Sequence, residues 1–461
     1  MAHHLEPQSR SIEWLRVSTA ASLLALAIGT LTANLAGQTS GGRWVSTWAT
    51  APVGRPLTPP PPGAPAPPPF MATACRTPPP PPVAPPPGQT FGPQPFTHFT
   101  NQTLRQIVHV SVGGSRARVV LSNGFGGAPI TVGAAHLALR GKDEGIQAGN
   151  SGALTFSGRP TITIPTNGIV YSDPVSIAIP PLADLAIDAY LPGTTTATAP
   201  LTMHNGALQT SYVSETGNYA GAAKFPTVAT TRSWFLLSRV EVDAPDARGV
   251  IVTFGDSITD GAASTPDTNS RWPDGLAKRL LGAPTPIRMG VVNAGIGGNR
   301  LLSEGAYNAG INALARFEMD ALSQTGVAYV IVLEGINDIG NARQNATPTA
   351  EDLIASHRQM IERAHAKGVR MIGATLTPFW GAAYYTDVGE AKRTALNDWI
   401  RSGKAYDGVI DFDKATRDPS DPKKFLAAYD SCDHLHPSDA GYKAMADAID
   451  LGLFTRSGGT R

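Results

Sequence analysis

The chain has 461 residues, of which 42% are apolar and 16% charged, and its formal net charge is +1. At roughly 100–200 residues per domain this length suggests two or three domains, with ample apolar material for their cores. A charge so near balance argues against nucleic acid as a partner and gives no pull toward an anionic surface.

The first segment has the order of an export signal. Arg10 and Arg16 precede an uncharged span, Val17 to Ala36, whose apolar centre is Ala20 to Ile28. Residues 1–36 therefore read as a signal peptide cleaved near Ala33 to Ala36, which predicts a secreted or periplasmic protein. The Ser, Thr and Ala content makes a poor permanent membrane helix, although the length also allows an uncleaved anchor. No stable membrane span is expected after cleavage.

Residues 37–51 contain Arg43-Trp44-Val45-Ser46-Thr47-Trp48-Ala49, read as the first strand of a β domain. Residues 52–95 form a proline-rich low-complexity loop with runs at Pro59 to Pro62 and Pro78 to Pro82. Proline this dense favours extended polyproline II and cannot sit inside a sheet. The two cysteines, Cys75 and Cys432, match no zinc or CxxC pattern. In an exported protein they are candidates for a disulfide, with free buried thiols as the alternative.

From Phe99 to about Val242 the pattern is β. Val108 to Val112 alternates apolar and polar, as does Arg116 to Val119 ahead of Val120 and Leu121. Ile162 to Ile164, Val175 to Ile179 and Ala186 to Leu191 follow, separated by turns such as Gly113-Gly114, Asn123-Gly124 and Pro192-Gly193. Residues 96–245 are expected to form an antiparallel β-sandwich of jelly-roll type.

From Arg248 the period changes. Apolar strands at Val250–Phe254, Ile287–Asn293, Tyr329–Leu333, Met371–Leu376 and Val409–Phe412 alternate with helical stretches. The helices are expected at Leu276–Leu281, Ile311–Leu322, Ala350–Ala366, Glu390–Arg401 and Ser438–Leu451. Such alternation over residues 246–456 implies a parallel sheet with helices on both faces, and ligands gather at the carboxyl ends of its strands.

Four segments at or near those strand ends carry chemistry. Gly255-Asp256-Ser257 follows the first strand, so Ser257 can present its hydroxyl as a nucleophile, though a helix cap is the plainer reading of such a serine. Asn293 to Arg300 is glycine-rich, letting backbone N–H groups approach an oxyanion; the GxGxxG spacing of a dinucleotide loop is not met. Glu334-Gly335-Ile336-Asn337-Asp338 follows the third strand, where Asn337 can cap a helix or offer its amide to an oxyanion. In Asp433-His434-Leu435-His436, Asp433 can hold one nitrogen of His436 and leave the other to take a proton. His434 is a rival for that role, and a zinc site using both histidines is a further alternative.

Asp256 reads as a cap and Arg300 with Glu304 as a surface ion pair. Trp272 reads as packing, and His204-Asn205-Gly206 as a plain turn that could also border the cleft.

Taken together the four segments resemble the SGNH hydrolases, the GDSL-type esterase and lipase superfamily, over about Gly249 to Phe454. The family's four name-giving residues would fall on Ser257, Gly298, Asn337 and His436, with Asp433 matching its Asp-x-x-His motif. Gly298 is placed by matching Asn-x-x-Ile-x-Gly to Asn293 through Gly298. The resemblance implies a flavodoxin-like three-layer α/β/α domain and serine-dependent ester hydrolysis without metal or organic cofactor. It also implies an oxyanion hole from the N–H groups of Ser257 and Gly298 and the side chain of Asn337.

The expected function is thus an exported serine esterase acting on a small-molecule or polysaccharide ester, an acetylated carbohydrate foremost. A lysophospholipase, a thioester or peptide hydrolase, and a non-catalytic glycan-binding protein are the alternatives. A histidine base predicts that activity falls below about pH 6–7.

Overall fold

Among the described residues the amino-terminal half is built from two larger antiparallel sheets and two short strand pairs, and some of its strands alternate inward and outward residues. In a computed structural model the described residues are 1, 42–54, 98–198, 201–304, 309–342 and 347–455. The expected export signal and most of the proline-rich loop, Cys75 included, lie outside the described residues.

One sheet runs in the order Trp44–Ala49, Leu237–Asp243, Gly114–Ser122, Ile169–Tyr171, with Val175–Ile179 also on Gly114–Ser122. The other runs Thr227–Thr231, Ser211–Thr216, Thr100–His109, Asp184–Thr194, Ala134–Arg140, Ile146–Leu154. Val175–Ile179 shows the period directly, with Ile177 and Ile179 buried and Ser176 and Ala178 exposed. The two sheets make the expected β-sandwich.

The strand expected at Val108 to Val112 lies earlier, at Thr100–His109. Val110 to Val112 leave the ladder because tertiary partners claim them. The Ser111 hydroxyl donates to the Thr47 carbonyl at 2.7 Å, and the Val112 N–H donates to the Thr47 hydroxyl at 2.9 Å.

The carboxyl-terminal half carries a parallel sheet in the order Gly290–Gly295, Val250–Gly255, Val327–Leu333, Arg370–Ala374, Gly408–Ile410. Every residue of Val250–Gly255 is buried, as a central parallel strand covered on both faces demands. Longer helices at Trp272–Leu281, Ala350–His365, Asp387–Ser402 and Asp439–Asp447 provide that cover. The helix expected over Ile311–Leu322 is Ala313–Phe317 continued by a π-helical turn at Glu318–Leu322. The chain order reverses beside Val250–Gly255, and in doubly wound sheets such a switch point is where ligands bind past the carboxyl ends of the strands.

Gly290–Gly295 is the edge of this sheet, and an open edge invites unwanted pairing. The sandwich covers it. Ser111 Oγ accepts from Val291 N–H at 2.9 Å, and Ser46 N–H donates to the Thr325 carbonyl at 2.9 Å. Gly290 is needed there, since a Cβ would collide with the Ser46 carbonyl. Further along the seam His204 Nε2 lies 3.1 Å from Asp260 Oδ1, and Arg271 donates to the Ala207 carbonyl.

Candidate active site

Ser257 follows the interior strand Val250–Gly255 through one sharp turn. Asp256 is the N-cap, its Oδ1 accepting from Ile258 N–H at 2.9 Å, and the helix it opens spans only Ser257–Asp260. Gly261, at φ 100°, ends that helix in a backbone region other residues enter only with strain. Ser257 therefore holds the first helical position, whose N–H has no acceptor within the helix.

His436 reaches this serine from a loop 179 residues away, with Nε2 2.8 Å from Ser257 Oγ. Its Nδ1 lies 2.6 Å from Asp433 Oδ2. Asp433 Oδ1 also accepts the N–H groups of Leu435 at 3.0 Å and His436 at 2.8 Å, so one carboxylate shapes the loop and aims the ring. Burial alone would raise the Asp433 carboxyl. The bond and charge of His436, together with the two N–H donors, hold it well below the usual carboxylate range.

His434 does not compete. Its Nδ1 pairs with Asp430, and its side chain remains about half exposed, 49%. Both nitrogens of His436 are engaged and His434 is paired separately, so among the described residues these two histidines do not converge as zinc donors. Cys432, in the same loop, is disulfide-bonded and sits at φ 75°, and His434 at φ 60°, so this loop is tightly wound.

The glycine-rich segment follows the edge strand. Asn293 Oδ1 accepts from Gly295 N–H at 2.9 Å, and the Asn299 N–H closes a turn on the Ile296 carbonyl at 3.1 Å. Gly298 at φ 77° lies inside that turn, and its N–H has no acceptor among the described residues. Asn337 begins beside it, in the helix Ile336–Ala342, which the sequence pattern did not reveal. One hydrogen of its amide bonds the Asn299 carbonyl at 3.0 Å, and the Tyr384 hydroxyl donates to its Oδ1 at 3.4 Å. The amide is thus fixed in direction with a second hydrogen to spare.

Residues 253–444 match the model of the GDSL-like Lipase/Acylhydrolase family. This part of the chain is a GDSL-like lipase/acylhydrolase domain. Solved structures align with part of the chain. A lipolytic protein of the G-D-S-L family from Desulfitobacterium hafniense is 24% identical, covering 43% of this chain and 97% of its own, with a TM-score of 0.33. An aryl esterase from M. smegmatis is 16% identical, covering 43% and 95%, with a TM-score of 0.35. A carbohydrate acetylesterase from Sinorhizobium meliloti is 15% identical, covering 43% and 95%, with a TM-score of 0.34. No curated protein matches the chain.

Beneath the GDSL site lies a layer that motif reading passed over. Arg316 is fully buried and donates to the Gly255 and Ala294 carbonyls and to Asn299 Oδ1, each at 2.8 Å. It thereby ties the ends of two strands to the glycine loop. Asp338 takes the N–H groups of Leu301 at 2.8 Å and Leu302 at 3.0 Å, holding the loop from its other end. Arg316 faces Asp320 at 3.2 Å and Glu334 at 3.7 Å. Asp256 and Glu334 stand side by side, because the residues just before them, Gly255 and Leu333, are register partners.

Four buried carboxyls share this layer, Asp256, Asp320 and Glu334 under the charge of Arg316 and Asp338 under that of Arg300. Burial raises Asp256 and, helped by the charge of Asp256, raises Glu334 well above the ordinary range. Burial also pushes Asp320 and Asp338 up to about 6. A raised carboxyl stabilises the fold fully below its unfolded pKa, and that share is lost as pH rises through the folded value. His357 acts oppositely: burial lowers it to about 4, so its share is present above the unfolded imidazole pKa and lost as pH falls. The carboxyls outnumber it, so the melting temperature is expected to rise as pH is lowered from 8 to 6. Calorimetry across that range checks this, and a steady fall would contradict it.

Two sequence readings change here. Arg300 and Glu304 form no ion pair among the described residues; Glu304 is exposed, and Arg300 Nε is buried without a partner there. His204-Asn205 is not a plain turn, since Met203–Asn205 pairs as a strand with Ser233–Phe235 and His204 reaches Asp260. Asp256 caps as expected, yet its second oxygen also enters the buried acidic layer. Trp272 is packing, fully buried edge-on to Phe412.

Proposed function

We propose that this chain is an exported serine esterase that hydrolyses small acyl esters, acetylated carbohydrates foremost, through an acyl-enzyme on Ser257. One observation carries the reading: Asp433, His436 and Ser257 form a continuous hydrogen-bonded line of 2.6 and 2.8 Å past the carboxyl end of the strand Val250–Gly255. The Gly298 and Asn337 donors belong to loops that follow the two neighbouring strands.

In this mechanism Ser257 Oγ attacks the ester carbon while His436 Nε2 takes its proton, and Asp433 stabilises the imidazolium. The carbonyl oxygen becomes an oxyanion met by the N–H of Ser257, the N–H of Gly298 and the Asn337 amide. Collapse breaks the bond to the alkoxy oxygen, which receives the proton from His436 and leaves as alcohol. Water, deprotonated by His436, then attacks the acyl-serine and releases the acid. Export rests on the signal-like order of residues 1–36.

Asn337→Ala is expected to lower kcat by about 10²–10³ with little change in KM, because its donor is used on charge that develops in the transition state. An unchanged kcat would remove Asn337 from the oxyanion hole. The direct test of the proposal is covalent trapping. A p-nitrophenyl phosphate triester should stop hydrolysis of p-nitrophenyl acetate and leave its phosphoryl mass on the peptide containing Ser257. Turnover that survives the reagent, or a label on another residue, rejects it.

A further inference from the structure

Asn337 is held by a residue outside the four segments that the sequence singled out. One hydrogen of its amide bonds the Asn299 carbonyl at 3.0 Å, and its Oδ1 accepts from the Tyr384 hydroxyl at 3.4 Å. Among the described residues that hydroxyl makes no other hydrogen bond, and Oδ1 has no other donor. Tyr384 lies 47 residues further along, in the loop that follows the strand Arg370–Ala374.

This loop is braced. Phe379 is fully buried, its ring 6.2 Å from that of Tyr384 and 5.0 Å from that of Tyr385. Two turns follow each other, Ala382 N–H donating to the Phe379 carbonyl at 3.0 Å and Tyr385 N–H to the Ala382 carbonyl at 2.9 Å. The helix that carries Asn337 is shaped to admit the tyrosine. Gly340 lies inside Ile336–Ala342, where glycine is a poor helix former, and a Cβ there would collide with the Tyr384 ring. At Gly381 the same loop presses on the other half of the site, since a Cβ there would come within 2.9 Å of the His434 ring. Burial, and beyond it the charges of Asp256 and Asp433, raise the Tyr384 phenol well above its ordinary range, so it keeps the proton it donates.

We infer that Tyr384 is a positioning residue for ester hydrolysis, its hydroxyl fixing and polarising the Asn337 amide so that the second amide hydrogen meets the oxyanion. The inference rests on the esterase reading above. Anchored at Oδ1 as well as at one hydrogen, the amide is kept from swinging about its last side-chain bond. A hydrogen bond accepted at Oδ1 also draws electrons from the nitrogen and strengthens its remaining donor. Full negative charge reaches that donor only in the transition state, so the contribution belongs to kcat.

Tyr384→Phe keeps the ring against Gly340 and removes the hydroxyl alone. On p-nitrophenyl acetate it is expected to lower kcat by about threefold to tenfold, the scale of one neutral hydrogen bond, with KM changed less than about twofold. The same substitution made in Asn337→Ala should alter kcat by less than about twofold, because the group it acts through is gone. Rates are expressed per Ser257 labelled by the phosphate triester, so unfolded protein does not count in any variant. An unchanged kcat in Tyr384→Phe, a loss carried by KM, or equal losses in the two backgrounds overturns the inference; the last is the mark of a tyrosine that merely packs. Failure of the esterase reading is distinct, since wild type would then neither turn over the ester nor take the label. Full rate in Asn337→Ala with a labelled Ser257 would remove Asn337 from the site, and Tyr384 with it.

Discussion

Ser257→Ala is expected to cut kcat on p-nitrophenyl acetate by about 10⁴–10⁶, the range seen when the nucleophile of a serine triad is removed. Among the described residues the hydroxyl makes one hydrogen bond, to His436, and the serine is almost completely buried at the first position of a short helix. Removing it deletes the attacking atom and leaves the cap on Asp256 and the turn at Gly261 untouched. Folding should therefore survive, and far-ultraviolet circular dichroism with a melting curve would show it. Residual hydrolysis over water would come from the oxyanion donors alone. A variant that keeps more than about a tenth of wild-type kcat would sink the acyl-enzyme mechanism.

Asp433→Asn should cost about 10⁴ in kcat for a different reason. The carboxylate accepts from His436 Nδ1 at 2.6 Å, which keeps the proton on that nitrogen and leaves Nε2 free to act as a base toward Ser257. An amide can turn its NH2 toward Nδ1, which then becomes the acceptor and moves the proton to Nε2. The ring stays in place but faces serine with a proton already on it. The amide oxygen can still accept from Leu435 and His436 N–H, so the loop should hold. The expected signature is a lost kcat with nearly unchanged KM. Because the Asp433 carboxyl is held below the ordinary range, its contribution to stability is present above that range and is lost as acid titrates through the folded value. The variant should therefore be less sensitive to strong acid than wild type. An Asp433→Asn enzyme at full rate would show that the imidazole needs no partner here.

The two sets of residues behind these predictions were unequally visible in the sequence. Ser257, Asn337 and the Asp433–His436 pair each follow an apolar run or carry a spacing with a chemical meaning, so each could be singled out. Gly298 needed the family pattern, since Gly297 beside it looks identical by composition; the left-handed φ of 77° at Gly298 distinguishes the two. Arg316 gave no local signal. An arginine in a helical stretch normally faces water, and only the folded chain brings the Gly255, Ala294 and Asn299 oxygens to its guanidinium. Glu334 and Asp338 stood inside a motif whose asparagine drew the attention. Their task depends on neighbours in other strands.

Local order was encoded along the chain. Runs such as Val250–Phe254 and Tyr329–Leu333 are apolar enough to be buried on both faces, and the alternation at Val175–Ile179 marks a strand with one face outward. These patterns determined the change from antiparallel sandwich to parallel α/β sheet, because side-chain periodicity is a property of consecutive residues. The tertiary structure alone decided which polar groups meet. Ser111 was drawn out of its expected strand to cap the edge of another sheet, His204 was carried to Asp260, and the Asn205 amide was buried with no partner among the described residues. Buried hydrogen-bonding groups must find partners wherever the fold puts them, and a pairing across a hundred residues leaves no period to read.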